Sequence, residues 1–156
     1  MAETYGNATL EDIRDKLIST LNGMVTAMAT GYDPTVSYVY DHHNVGYMQF
    51  NAVSVGLENA EPDNVAFGSA GVTVQYRCQF TVRVHTAYQG ALVDEVKNSR
   101  LINSVVNYLS EYKNQAGGYW IQDIDEVTAN EEFAESYTVG GQCTVLATKP
   151  VTHTQG

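Results

Sequence analysis

Two segments of the chain repeat apolar residues at spacings of three and four, which is typical of a helix with one buried face. They span residues 9–28 and residues 92–113. The apolar face of the first consists of Leu10, Ile13, Leu17, Leu21 and Met24. That of the second consists of Val93, Val96, Leu101, Val105, Tyr108, Leu109 and Tyr112. We therefore expect two amphipathic helices.

Alternation of apolar and polar residues predicts strands at residues 35–40, 47–57, 72–88, 119–127 and 137–147. The alternation is strongest in residues 72–88, where apolar positions from Val72 to Val84 face one way and polar positions from Thr73 to His85 face the other. Such a strand would reach about 55 Å. We expect part of it to project past the core or to bend at a bulge, and a projecting part to be covered by a partner chain.

Turn-forming and charged residues predict the connections between these elements. Residues 58–71 are expected to form a loop of about 14 residues, a length typical of binding loops or disordered segments. Residues 130–135 are expected to be an acidic connector, and Gly140 and Gly141 to mark a bulge or a close backbone approach. The chain after Pro150 is expected to be a loose tail.

Together these elements predict a single α+β domain over residues 1–156, with two main helices on one face of a mixed or antiparallel sheet of about four to five strands. A length of 156 residues suits one sizeable core. Hydrophobic residues make up 44% and charged residues 17%, which argues against disorder.

The charge balance and the absence of long apolar runs narrow the function further. A net charge of −10, with only eight Lys and Arg residues, disfavours a nucleic-acid binder. No apolar run approaches the roughly 18 residues of a membrane span. The first five residues lack the layout of a signal peptide, so we expect synthesis in the cytoplasm and no membrane partner.

The sequence offers few candidates for catalytic or metal-binding residues. Asp41, His42, His43 and Asn44 form the only cluster that resembles a metal or acid/base site. Adjacent histidines on a strand point to opposite faces, so His42 and His43 could not easily bind one ion if the strand continued there. Because so short a match has low specificity, we favour a surface loop without a ligand role. His85 is expected on the solvated side of its strand. Cys78 and Cys143 are expected in the core. Glu131, Glu132 and Glu135 are expected in a solvated connector.

No catalytic, cofactor or metal motif emerges from the sequence, so catalysis has no candidate residue. Instead, aromatic residues lie at turns and strand ends, where they would supply apolar area and a polar group to an interface. Together with the long strand and the long loop, they favour assembly with other chains.

The order of elements resembles that of the tail terminator, or tail-completion, proteins of long-tailed bacteriophages. The resemblance is carried by chain size and element order, by Gln79-Phe80-Thr81-Val82-Arg83-Val84, by the helix from Leu92 and by the closing strand Gly-Gly-Gln-Cys-Thr-Val-Leu-Ala. It implies an α+β virion protein of the tail and neck, assembled in the host cytoplasm. Six copies would form a ring on the last ring of the tail-tube protein and meet the head connector or neck protein, with no enzyme activity and no cofactor.

The resemblance implies that the loops at residues 41–47 and 58–71 face the tube, the connector or neighbouring subunits. The interface candidates are Tyr38, Tyr40, Asp41, His42, His43, Tyr47, Glu58, Glu61, Asp63, Phe67, Arg77, Arg83, Tyr88 and Trp120. Six chains of net charge −10 would carry about −60, and a negative lumen would let DNA pass without specific binding.

Three other functions remain open at this point. A head-completion or neck protein would also form an acidic ring. A small α+β ligand-binding protein or enzyme could place Tyr88, Trp120 and His85 around an apolar pocket. A tail-tube subunit would have to polymerise through both of its faces.

Overall fold

The computed structural model describes residues 7–28, 35–43, 49–68, 71–87, 91–111, 120–133 and 138–153. Its elements are α1 (Asn7–Met28), β1 (Tyr38–Tyr40), β2 (Ala52–Gly68), β3 (Gly71–Thr86), α2 (Ala91–Ser110), β4 (Trp120–Phe133) and β5 (Thr138–His153). The five strands form one sheet in the order β1-β2-β3-β5-β4. Only β1 and β2 are parallel, so the sheet is mixed and the predicted α+β class is confirmed.

Both helices pack on the same face of the sheet, as their apolar stripes require. The buried helical residues are Ile13, Leu17, Leu21, Met24 and Met28 on α1, and Leu101, Ile102, Val105 and Leu109 on α2. They join a core that includes alternate residues of the strands, among them Val53, Phe80, Val82 and Val145. Val96, which the sequence assigned to the buried stripe, is 44% exposed, so that assignment is wrong.

The expected loop at residues 58–71 is instead part of a long hairpin, because β2 continues to Gly68 and pairs with β3 as far as Gly71. Register shifts at Glu58 and Asp63 take these two residues out of the ladder as bulges. Beyond Ser54, no described strand pairs with the edge of β2 that faces away from β3. Pro62 therefore lies on an edge strand, where its lack of an N–H donor is tolerated.

The long strand is confirmed as β3, but it is not the exposed edge that the sequence led us to expect. β2 and β5 pair along nearly all of β3, so the chain supplies both neighbours itself. β4 begins at Trp120, opposite Thr148. Beyond that pair, three strand segments of the described residues continue the sheet for about 20 Å, namely 62–68, 71–76 and 149–153. We call these residues the three-stranded arm.

The ends of β4 and β5 also differ from the sequence prediction. Residues 130–133, expected in an acidic connector, belong to β4, and Phe133 is buried. β5 runs past Pro150 to His153, so the tail is not loose over those residues. The predicted close approach at the glycine pair is confirmed, because a Cβ on Gly140 would strike the carbonyl oxygen of Val84.

The face of the sheet opposite the helices consists of the strand residues that alternate with those of the core. Its members can be followed across the sheet, because paired residues on neighbouring strands point to the same face. On β3 this set runs from Arg77 to His85 in steps of two, and its partners include Glu61 and Ser54 on β2. We call it the open face. It also contains Gly56, Asn59, Gln142, Thr144, Leu146, Thr148, Asp123, Asp125 and Thr128.

Candidate functional site

One end of the open face carries a hydrogen-bonded chain of three polar side chains. The Oγ of Ser54 lies 2.5 Å from Nδ1 of His43 and 2.6 Å from Nε2 of His85. Ser54 and His85 are fully buried, and His43 is half-buried. Because a hydroxyl has one proton, Ser54 donates to one neutral imidazole and accepts from the other. We call these residues the histidine–serine chain.

Sheet register and one glycine bring these residues together. Ser54 pairs with Arg83 and Ala52 pairs with His85, so Ser54 and His85 are diagonal neighbours on adjacent strands. His43 follows β1 and covers β2 at Gly56. A Cβ on Gly56 would lie 2.5 Å from Nε2 of His43, so only glycine leaves room for this ring.

An aromatic ring from the far end of β4 completes the cover over His85. The centroid of the Phe133 ring lies 5.1 Å from that of His85, with the ring planes tilted by 60°. The Cζ of Arg83 lies 4.8 Å from the same Phe133 centroid, in a cation–π contact, and its Nε donates to Oε1 of Gln142 at 3.1 Å. The expectation that His85 is solvated is therefore wrong.

Burial sets the protonation state of this site. It lowers the pKa of His85 to about 3, and repulsion from a protonated His43 and from Arg83 acts in the same direction. His85 is therefore neutral at pH 7. A serine beside an imidazole is the arrangement of an activated nucleophile, but Ser54 is fully buried, and the two depressions described on the open face are lined by other residues. The geometry suits a hydrogen-bonded closure of this end of the open face.

The two adjacent histidines diverge, as the sequence predicted. His42 is 61% exposed, and its Nδ1 donates to a carboxylate oxygen of the exposed Asp41 at 2.6 Å. This hydrogen bond lowers the pKa of Asp41. The interpretation as a surface loop fits Asp41 and His42 but is wrong for His43, which turns inward to Ser54.

Further along the open face, Arg77 and Gln79 lie between two shallow depressions. The larger, of about 190 Å³, is bordered by Asp123, Asp125 and Glu126, and the smaller, of about 110 Å³, by Glu61. We call the region formed by these six residues the acidic groove. Among the described residues, no three His, Cys, Asp or Glu side chains converge to hold a metal ion.

The remaining interface candidates do not converge on one site. Tyr38 is 39% exposed on β1, and the hydroxyl of the half-buried Tyr40 accepts a hydrogen bond from the Gln49 N–H at 3.1 Å. Glu58 accepts from the Thr81 hydroxyl at 2.7 Å. Tyr47 and Tyr88 lie outside the described residues. Only the backbone is described for Asp63 and Phe67 on β2 and for Trp120 on β4.

The apolar pocket considered for a ligand-binding protein does not form as proposed. Trp120 pairs with Thr148, whereas His85 pairs with Gly140, eight positions away along β5. At about 3.3 Å per residue, these positions are about 26 Å apart. Trp120 and His85 therefore cannot line one small pocket.

Ser54, Gly56, Phe133 and Gln142 were not singled out from the sequence. Each is unremarkable in its own segment and becomes part of the site only through strand register. The only local signal is the presence of imidazoles at positions 43 and 85.

The chain matches no known protein family and no curated protein. Neither helix of the described residues, α1 or α2, combines the length and the apolar character needed to cross a membrane.

Proposed function

We propose that this protein is a bacteriophage tail terminator, which forms a ring of six copies, caps the tail tube and joins it to the head connector. The observation that carries the proposal is the two-layer architecture. Both helices cover one face of the sheet, and the other face is polar and open along most of its length. A domain with two such different faces suits a ring, in which one surface meets neighbouring subunits and another lines the channel.

The three-stranded arm supports an assembly role. It extends the sheet about 20 Å past the end of β4, and no described strand flanks its two edges. Pro62 and the bulge at Asp63 lie in the β2 segment of the arm, and such features limit uncontrolled pairing between sheet edges. The arm therefore suits contact with a defined neighbour rather than open-ended polymerisation.

The charge of the open face supports a channel that DNA crosses. Its described ionised groups include two guanidinium groups, Arg77 and Arg83, and a larger set of carboxylates. The carboxylates are Glu58, Glu61, Asp123, Asp125, Glu126 and Glu131. A channel lined by this face would repel the phosphate backbone, so DNA would pass without being held.

The test is electron microscopy of the purified protein mixed with assembling tail-tube protein of the same virus. We expect a ring at one end of each tube and tubes that stop growing once capped. Binding to the head connector with no effect on tube growth would contradict the proposal and favour a head-completion role. Uniform decoration along the tube would contradict both.

The role of the open face has a separate test in a charge-reversed triple variant, Glu61→Lys, Asp123→Lys and Asp125→Lys. We expect capping to be retained while assembled rings bind DNA at low salt, because the described charges of this face become net positive. A control of the same charge change places lysine at Glu11, Asp15 and Glu95 on the exposed surfaces of the helices. Equal DNA binding by both triple variants would contradict a channel lined by the open face.

A further inference from the structure

The histidine–serine chain joins the segment after β1 to the central strand of the sheet. His43 belongs to residues 41–43, Ser54 to β2 and His85 to β3. Its two short hydrogen bonds place the His43 ring over Gly56. We propose that this chain is an acid-sensitive closure, in which proton uptake releases residues 41–43 from the open face and uncovers Ser54 and Gly56. This inference does not depend on ring formation.

The count of protons explains why acid would break the chain. With both imidazoles neutral, the Ser54 hydroxyl donates to one ring nitrogen and accepts from the other. Protonating the accepting nitrogen turns it into a second N–H donor aimed at the same oxygen. The Ser54 proton then loses its acceptor inside a fully buried site, which is unfavourable.

The guanidinium group of Arg83 and a protonated His43 both oppose a positive charge on His85. Arg83 lies two positions before His85 on β3, and His43 approaches from the segment after β1. β2 and β5 contribute the uncharged residues Ser54 and Gln142. β4 contributes the Phe133 ring and the carboxylate residue Glu131. Glu131 pairs with Gly140 on β5, which in turn pairs with His85 on β3.

Release of residues 41–43 would let water reach the histidine–serine chain and return the pKa of His85 towards its ordinary value. The pKa of His85 is about 3 when buried and 6.5 for an ordinary histidine. Below pH 6.5 the open form therefore takes up a proton that the closed form does not, and the opening equilibrium rises by about tenfold per pH unit.

The experiment is hydrogen exchange read by mass spectrometry, on peptides that contain residues 38–43, between pH 7.5 and 4.5. Rates are corrected for the intrinsic effect of pH on exchange. The wild-type chain is expected to lose protection in these peptides by about tenfold per pH unit below 6.5. Peptides from the buried part of β3, residues 78–84, should stay protected. Unchanged protection at residues 38–43 would overturn the proposal, and so would equal loss in both regions.

The neighbouring histidines provide a matched pair of variants. His42→Gln removes the exposed imidazole and should leave the wild-type pH profile intact. His43→Gln removes one end of the chain and should leave residues 38–43 weakly protected at pH 7.5, with little further change on acidification. If the two variants give the same profile, the proposal is wrong. Circular dichroism of both variants checks that the sheet and helices remain folded, and the wild-type profile decides the question if either does not fold.

Discussion

Gly56 on β2 lies directly beneath the imidazole of His43, close enough that a methyl group on Gly56 would come within 2.5 Å of Nε2 and 2.6 Å of Cδ2. The two residues are 13 positions apart in the chain, and His43 is also bound to Ser54. A glycine in the interior of a strand normally costs stability relative to alanine. Here it makes room for a ring that closes one end of the open face.

Gly56→Ala should therefore destabilise the wild-type chain by about 1–2 kcal/mol, because the His43 ring must leave and Ser54 loses a hydrogen bond. In a His43→Ala background the same substitution should stabilise by about 0.5–1 kcal/mol, the usual gain in a strand. Urea denaturation of the four chains measures both effects. An equal effect in both backgrounds would show that the contact does not constrain position 56.

Gly140→Ala should be far more damaging than Gly23→Ala. A Cβ on Gly140 would strike the Val84 carbonyl oxygen, which belongs to the backbone of the central strand and cannot move aside. We expect a loss of at least about 3 kcal/mol. A Cβ on Gly23 would meet only the hydroxyl of Tyr108 at 3.1 Å, so alanine in this helix should be neutral or stabilise by up to about 1 kcal/mol. Thermal unfolding of the two variants compares them, and equal losses would contradict the predicted difference.

The free energy of unfolding should fall on acidification between pH 6.5 and 4.5. In this range the unfolded chain protonates His85, whose ordinary pKa is 6.5, whereas the folded chain holds it neutral until about pH 3. The stabilisation is complete above pH 6.5 and is lost as the pH falls, by about 1.4 kcal/mol per pH unit. Urea denaturation at several pH values measures the slope. His85→Gln should reduce the slope by about 1.4 kcal/mol per pH unit, which is the contribution of one proton. His42→Gln should leave the slope unchanged.

The two cysteines should be nearly unreactive in the folded protein. Both are buried, and burial raises the pKa of Cys78 to about 11 and that of Cys143 to about 12. A thiol reagent at pH 8 should label them on the order of 100-fold more slowly than after unfolding in urea, since the thiolate is the reactive form. Val127→Cys, at a position that is 48% exposed, supplies the reactive control. Labelling of the native cysteines as fast as this control would contradict their placement in the core.

The sequence predicted those parts of the fold in which one local pattern dominates. The stripe from Ile13 to Met24 and the alternation through Phe80 and Val82 each identified a buried face, and both faces are buried. The second half of β2 could not be predicted this way. Pro62, Asp63 and Asn64 are turn formers in isolation, but pairing with β3 outweighs their local preference, and a bulge takes Asp63 out of the ladder.

The histidine–serine chain was missed for a related reason. Alternation places His85 opposite the core, where a side chain is solvated unless another element covers it. The cover comes from His43, 42 positions earlier, and from Phe133, 48 positions later. Neither contact leaves a periodic signal in the sequence, because both depend on how the chain crosses the open face.

Native mass measurement of the purified protein over a range of concentrations tests whether this chain assembles into a closed ring. The chain has a mass of 17.1 kDa, so a ring of six copies has a mass of about 103 kDa. We expect this species to form as the concentration rises and no larger open-ended series to follow. A 17.1 kDa monomer at every concentration would contradict it.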